Sequence, residues 1–406
     1  MDPKHLLVRE KYLARIRPYY EIDTIKVIVG PRRAGKSVIL RSIADEIHTD
    51  DEHKIFINFE DMDYEDIDNA SKLNDLIKEK IKTGRYYMFF DEIQHVKHFE
   101  KALASFKSKY DCSIFVTGSN SELLSGELST LLVGRTREFL IQPFSFSESE
   151  DYLSVSGVPK EDFGQYLRLG GYPQRFSEPS ADGVRGFLQD LFSAILEKDL
   201  FRSAADKSKE KLRSVAMYVL ANSGSRFSAQ NVVDYLNRVH NSKSYISLQT
   251  VYNYLDRMEK AFLIRSVRKY NLSGKGIMDS VAKYYALDNG MVTVNSNSIE
   301  VRDTFLLETL VYQELVSREY EVYVGETYKG EVDFVAVKGG KKCFIQVAYL
   351  LASSETVDRE FGAFSPIKDS SPKYVLSLDE VDMSRNGVVH CNILDFLRGK
   401  VDLFLT

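Results

Sequence analysis

No run among the 406 residues approaches the roughly 18–20 consecutive apolar positions that a bilayer-spanning helix needs, so no membrane crossing is expected. Cysteine is scarce. Cys112, Cys343 and Cys391 each fall inside or beside apolar runs without C-x-x-C spacing, which excludes a disulfide framework and a cysteine zinc site and leaves three small core residues. The seven histidines are scattered, and His95 and His98 share a short segment with no third or fourth ligand nearby, so they predict no metal site. The first twenty residues are charged throughout and lack the apolar core of a signal peptide, which makes the cytoplasm the expected location. Repeats and low-complexity tracts are also missing. A net charge of −5 argues against a uniformly basic coat for nucleic acid, although 54 Lys and Arg leave room for one local basic face. At this length the chain can form two or three domains, each burying its own core.

What is present begins at Gly30. The eight residues GPRRAGKS fit G-x-x-x-x-G-K-[ST] in full, between a β-branched run from Thr24 to Val29 and an amphipathic segment with Val38, Ile39, Ile43 and Ala44 along one side. A strand, a glycine-rich turn and a helix N-terminus in that order aim successive backbone N–H groups at a triphosphate. Gly30, Pro31, Arg32, Arg33, Ala34, Gly35, Lys36, Ser37 and Val38 are therefore the predicted nucleotide-binding residues, with Lys36 on the β/γ-phosphates and the Ser37 hydroxyl on Mg²⁺. About fifty residues on, the apolar run Tyr86–Phe90 ends in Asp91-Glu92. At the carboxyl end of a central strand, Asp91 would complete the Mg²⁺ shell and Glu92 would orient and deprotonate the attacking water. The next strand, Cys112–Thr117, runs into Gly118-Ser119-Asn120. Thr117, Ser119 or Asn120 could sense the γ-phosphate there, with Asn120 preferred for its amide and Ser119 next. After a helix-like stretch from Glu122 to Val133, Gly134-Arg135-Thr136-Arg137 leads into a further strand. Arg135 has two readings: an arginine finger acting on a neighbouring subunit's nucleotide, or a cap on a helix C-terminus.

The ordered set GPRRAGKS, MFFDE, VTGSN, GRTREFLIQPFSFSE and then Leu169-Gly170-Gly171-Tyr172-Pro173 resembles the AAA-superfamily ATPases of bacteria and archaea that carry a carboxyl-terminal domain of unknown function. That resemblance covers nearly the whole chain. It implies an ATPase core that uses ATP and Mg²⁺, a helical lid containing the Gly-Gly-Tyr-Pro turn, and a tail without an assigned task.

Helical periodicity from Lys209 to Asn222, a second helix after Ser228 and a third from Ser247 describe the middle of the chain. In the third, Leu248, Val251, Tyr252, Leu255, Met258 and Phe262 form the expected buried stripe, opposite Gln249, Thr250, Asn253, Tyr254, Arg257 and Lys260. Two β-prone runs flank the basic segment Arg268–Lys275, completing a helix-turn-helix with a wing. Such elements contact DNA or serve as protein modules. For DNA, the candidate contacts are Lys243, Arg257, Lys260, Arg265, Arg268, Lys269 and Lys275. The tail reads as a helix from Phe305 to Glu319, an acidic strand Glu331–Val337 and a second strand Lys342–Ala348. This order resembles the PD-(D/E)-x-K nuclease superfamily, and the resemblance puts Glu308 or Glu314 as the helix acid, Asp333 as the central ligand and Gln346 at the usual acid position. Ala348 stands where that family has its lysine, so phosphodiester cleavage is not expected and the shape is read as a vestigial frame.

The fold class expected is therefore α/β: a P-loop NTPase core on a doubly wound parallel sheet (1–147), a helical lid (148–205), a winged helix (206–295) and a non-catalytic nuclease-like domain (296–406). The expected activity is ATP hydrolysis coupled to binding or remodelling of duplex or branched DNA, in a homo-oligomer that includes a hexameric ring among its forms. The alternative is a signalling or scaffold NTPase whose nucleotide state controls assembly with a protein partner.

Overall fold

The computed structural model describes residues 7–120, 132, 134–201, 206–242, 244–274, 276–296 and 301–404. They divide into two compact units, residues 1–143 together with 260–262, and the remainder from 144 to 406.

In the first unit, α1 (Glu10–Ile16) precedes β1 (Ile25–Val29), and α2 (Lys36–Glu46), β2 (Lys54–Asn58), α3 (Ala70–Lys80), β3 (Tyr86–Asp91), α4 (Phe99–Lys109), β4 (Cys112–Gly118) and β5 (Thr136–Leu140) follow. The strands form one sheet in the order β2-β3-β4-β1-β5, and every pairing is parallel. Strands β1, β3 and β4 are buried along their whole length, as a sheet covered on both faces requires. A row of rings crosses the sheet at one register: Phe56 stacks on Phe89 (5.9 Å) and Phe89 on Phe115 (5.0 Å). Lys26 ends this row on β1, fully buried, with its ammonium 4.5 Å from the Phe115 ring centre. It donates to Ser113 Oγ at 2.7 Å and to the Ile22 carbonyl at 3.2 Å. Burial pulls its pKa down to about 7. Chain order reverses at β1, whose neighbours are β4 and β5, and the crevice above such a reversal is where open α/β sheets take ligands.

The second unit opens with α5 (Phe146–Ser156), α6 (Phe163–Leu169) and α7 (Ala181–Ala194). Next come α8 (Asp206–Ala221), α9 (Ala229–Val239) and α10 (Leu248–Lys260), then a hairpin of β6 (Ile264–Asn271) and β7 (Gly276–Ala286). Ser228 caps α9 by accepting from the Asn231 N–H, as its position predicts. The buried side of α10 is rotated from the expected stripe. Val251, Tyr254, Leu255 and Met258 are buried, whereas Leu248 and Tyr252 are 40% and 51% exposed. Steps of three and four residues fit either rotation of the helix, and only the packing partners choose between them. After α11 (Asn289–Asn295) and α12 (Asp303–Ser317) come β8 (Glu321–Thr327), β9 (Gly330–Lys338), β10 (Lys341–Val347), α13 (Ser354–Gly362), β11 (Lys373–Ser377), β12 (Val389–Asn392) and α14 (Ile393–Leu397). One mixed sheet in the order β12-β11-β10-β9-β8-β6-β7 unites the hairpin with the carboxyl-terminal strands, through the parallel pairing of Lys269–Asn271 with Val324–Glu326. Among the described residues no helix is long and apolar enough to cross a membrane.

The Gly-Gly-Tyr-Pro turn holds three backbone segments of this unit together. Phe144 N–H donates to the Gly171 carbonyl at 2.8 Å, Gly171 N–H donates to Asp288 Oδ2 at 2.7 Å, and Arg175 Nε donates to the Gly170 carbonyl at 2.6 Å. A Cβ at Gly171 would lie 1.9 Å from the Phe144 carbonyl oxygen, and one at Gly170, whose φ is +72°, would lie 2.0 Å from Asp288 Oδ1. Asp288 is wholly enclosed, and burial pushes its carboxyl up to about 6 against the opposing pull of the Gly171 N–H. Gly171→Ala is therefore expected to destabilise this unit by about 2–3 kcal/mol through overpacking. Gly186→Ala in α7, where a Cβ meets nothing within 4 Å, should stabilise it by roughly 0.5–1 kcal/mol. Urea unfolding of the two variants checks the opposite signs.

Candidate active site

The glycine-rich loop is bent by its neighbours as much as by its own sequence. A Cβ at Gly30 would lie 2.0 Å from the Ile141 carbonyl oxygen, so only glycine lets the loop leave β1 past the end of β5. Arg33 (φ 62°) and Gly35 (φ 96°) both take left-handed conformations, which curl the backbone back on itself. Helix α2 then starts with no side chain capping it, leaving the N–H groups of its first turn facing the loop. A residue that sequence reasoning missed supports the loop from behind. Arg9, 3% exposed, donates to the Ala34 carbonyl at 2.9 Å, to the Gln142 carbonyl at 2.9 Å and to the Pro143 carbonyl at 3.3 Å, and stacks on Tyr12. It stands 25 positions before Ala34 in an ordinary charged helix start, so nothing in the sequence marks it.

The predicted residues of the core converge at the carboxyl ends of β1, β3 and β4. Lys36 is buried, with its ammonium 3.1 Å from the Pro31 carbonyl and 3.6 Å from Glu92 Oε1. Asp91 receives hydrogen bonds from the Ser37 hydroxyl and from Thr117 Oγ1, the latter at 2.5 Å. Thr117 Oγ1 in turn accepts the Glu92 N–H at 2.8 Å, so this hydroxyl fixes both acids. Burial drives the Asp91 carboxyl above its ordinary pKa, partly opposed by Thr117 and Ser37. Glu92 is also pushed up by burial, but Lys36, followed by Gln94 and Arg32, outweighs this and leaves it below the usual range. Ser119 and Asn120 follow β4 directly and are both buried. Arg32 faces Glu60 at 3.6 Å. Arg135 is exposed at the amino-terminal end of β5, where its carbonyl accepts the Ile25 N–H at 2.8 Å.

In the second unit, Glu308 of α12, Asp333 of β9 and Gln346 of β10 are drawn into one buried network. The Asp333 N–H donates to Gln346 Oε1 at 3.3 Å, and Asp333 Oδ2 accepts the Val347 N–H at 2.8 Å. Glu314 is engaged elsewhere, with Arg318 at 2.6 Å and Ser317 at 3.2 Å. The member that the sequence did not announce is Lys283 of β7. Its ammonium lies 2.8 Å from Glu308 Oε1 and 2.5 Å from Glu331 Oε1, while Tyr285 donates to the same Glu308 oxygen at 2.6 Å. Burial pulls the Lys283 pKa down, and Glu308, Asp333 and Glu331 together more than offset it. The Asp333 carboxyl is pushed well above its ordinary range by burial and then by the Glu308 charge. Glu308 is raised by burial against the pull of Lys283. Among the described residues no group of three or more His, Cys, Asp or Glu converges as metal ligands, and an ammonium sits on the carboxylate that a divalent ion would need. The residues therefore do not fit a nuclease-type metal centre. Ala348 packs in the apolar core with Phe344 and Val375.

Of the residues proposed to meet DNA, Arg257 is exposed on α10 and Lys260 is half-buried at its end. On β6, Arg265 is half-buried, Arg268 is exposed beside the Tyr323 ring, and Lys269 pairs with Glu326 at 3.0 Å. Lys243 and Lys275 lie outside the described residues.

Comparison with known proteins finds an AAA domain over residues 23–150 and a domain of unknown function, DUF8612, over residues 160–298. An uncharacterized protein of Haemophilus influenzae is 31% identical over 384 residues, covering 92% of this chain and 94% of that one. The uncharacterized protein MJ1544 of Methanocaldococcus jannaschii is 30% identical over 380 residues, 89% of this chain and 81% of its own. Among solved structures, the Aeropyrum pernix Orc1 protein in complex with DNA is 13% identical and covers 78% of this chain and 95% of that chain, at a TM-score of 0.33. That superposition is too loose to transfer detail of fold or function.

Proposed function

Since this chain belongs to the same family as its Haemophilus and Methanocaldococcus relatives and carries an AAA domain, we propose that it hydrolyses ATP and couples its nucleotide state to DNA. The observation that carries the first half is the convergence of Lys36, Ser37, Asp91 and Glu92 around a loop whose helix N-terminus has no side-chain cap. Mg²⁺ would be held by Ser37 and Asp91, whose hydroxyl and carboxylate are the hard oxygen donors it takes, and would neutralise charge on the β- and γ-phosphates. Lys36 binds those phosphates, and Glu92, ionised at neutral pH, takes a proton from the attacking water. On this reading Ser119 and Asn120 would sense the γ-phosphate, and exposed Arg135 would serve a neighbouring subunit in a homo-oligomer such as a hexameric ring.

The second half rests on the α8–α10 helices and the β6–β7 hairpin, taken as a winged helix. Exposed Gln249, Asn253 and Arg257 on α10 supply groups that reach base edges and phosphates. The tail is taken as a nuclease-like frame that binds rather than cleaves. ATP turnover should rise on adding duplex or branched DNA, and Arg257→Glu should lower DNA affinity by about tenfold at low salt while leaving turnover without DNA unchanged. A titration of turnover and fluorescence anisotropy against salt checks both. DNA that neither binds nor stimulates would overturn the coupling. One observation favours the rival, a scaffold ATPase: Tyr235 and Val239 on α9 and Leu248 and Tyr252 on α10 are large apolar side chains left in solvent. That rival predicts nucleotide-dependent assembly with a protein, read by light scattering, with no response to DNA.

A further inference from the structure

Glu92 follows β3 in a left-handed conformation (φ 51°), and a single tight turn, Ile93–His95, closes behind it with His95 N–H donating to the Glu92 carbonyl at 3.2 Å. This turn folds the Gln94 side chain back over the acid. Gln94 Nε2 donates to Glu92 Oε2, while Glu92 Oε1 faces the Lys36 ammonium at 3.6 Å. The orientation of the amide is set by chemistry: reversed, its oxygen would face an ionised carboxylate, acceptor against acceptor. In the favoured orientation Gln94 Oε1 is buried and has no hydrogen-bond partner. An unmet buried carbonyl is costly, and one that stands beside a catalytic acid calls for a partner supplied by the reaction.

We propose that Gln94 is a second water-orienting group of the ATPase reaction: its Nε2 fixes the Glu92 carboxylate and its Oε1 accepts a hydrogen bond from the attacking water. The proposal rests on the ATPase reading above. In the step it serves, the water oxygen bonds to the γ-phosphorus and the bond from that phosphorus to the β,γ-bridging oxygen breaks. One water proton passes to Glu92 while the other O–H remains on Gln94 Oε1, and ADP and inorganic phosphate leave. Two acceptors at a fixed separation hold both O–H bonds of the water and so aim its remaining lone pair at the phosphorus. Glu92 alone would leave the water free to turn about one hydrogen bond.

Two variants of the full chain separate this role from a structural one. Gln94→Met keeps the length of the side chain and removes both hydrogen bonds. Gln94→Glu keeps an acceptor, removes the donor and sets a like charge beside Glu92. Both are expected to lower kcat for ATP by about 10–100-fold, in line with the loss of one positioned polar group, with ATP KM and the affinity for a non-hydrolysable analogue unchanged. Turnover within about twofold of the natural chain, in whichever variant folds, would overturn the proposal. If the natural chain itself hydrolyses no ATP, the ATPase reading falls and this proposal with it, whereas a natural chain that turns over and is matched by Gln94→Met overturns the proposal alone.

Discussion

Glu92→Gln is expected to lower ATP turnover by about 10²–10⁴-fold, the usual contribution of a positioned general base, while nucleotide binding survives. The reason lies in how the two acids differ. Asp91 is held by Ser37 and Thr117 and is driven up by burial, whereas Glu92 is kept ionised by Lys36, Gln94 and Arg32 despite comparable burial. A group that must accept a proton at neutral pH needs that second environment. Gln has the shape of Glu without its basicity, so the loop, Lys36 and Asp91 retain their places. Lys36→Ala makes the contrast, because on the proposed reading it removes the cation that would meet the phosphates, and it should lose binding along with turnover. Chromatography of the nucleotide retained after rapid gel filtration distinguishes the two: intact ATP on Glu92→Gln and little nucleotide of any kind on Lys36→Ala. Hydrolysis by Glu92→Gln within about threefold of the natural rate would exclude Glu92 as the base.

Lys283→Met is expected to cost the second unit about 3–5 kcal/mol, because it leaves the buried Glu308 carboxylate without its cation, whereas half-buried Glu331 keeps Arg226 at 3.0 Å. Asp333→Asn should cost less than about 1 kcal/mol. Its carboxyl is already pushed toward the protonated form by burial and Glu308, and an amide oxygen can still accept the Val347 N–H. Adding Glu308→Gln to Lys283→Met should recover much of the loss, since the charge that lacked a partner is gone. Thermal melts of the four chains give the order, with the single Lys283 variant on the order of 10 °C below the rest. A Lys283→Met chain as stable as its parent would show that the network is not what joins the hairpin to α12. Because an ammonium already lies against Glu308, millimolar Mg²⁺ should leave the melting of this unit unchanged, and stabilisation by Mg²⁺ would revive the metal-centre reading.

The sequence was most legible where function demands local order. The pattern of GPRRAGKS is contiguous because a phosphate-binding loop works through consecutive N–H groups, and Asp91-Glu92 ends an apolar strand that carries both acids to one edge of the sheet. These positions, the parallel sheet and the helix start at Ser228 could all be read before any contact was known. Less could be read where partners lie far apart in the chain. The rotation of α10 followed packing rather than periodicity, which admits Tyr252 or Tyr254 equally well. Arg9 reaches the back of the loop from 25 positions upstream. The purpose of Gly170 and Gly171 became plain only when Phe144 and Asp288 were found pressed against them.

The tail illustrates the limit best. On β10 alone, Ala348 leaves the acid-tipped frame without a lysine, which makes the frame read as vestigial. In the structure a lysine does stand beside Glu308, but it comes from β7, sixty-five positions earlier in the chain, and it neutralises the carboxylates by direct contact. Sequence alone determined what requires neighbours along the chain: a phosphate loop, the acids that follow its partner strand, and the helices. Tertiary structure alone decided what requires neighbours in space: which hydroxyl pins both acids, which arginine supports the loop, and which ammonium occupies the acidic cluster. Backbone hydrogen bonding and side-chain periodicity act over a few residues and leave a mark in the sequence, whereas burial and ion pairing depend on proximity that the order of residues does not record.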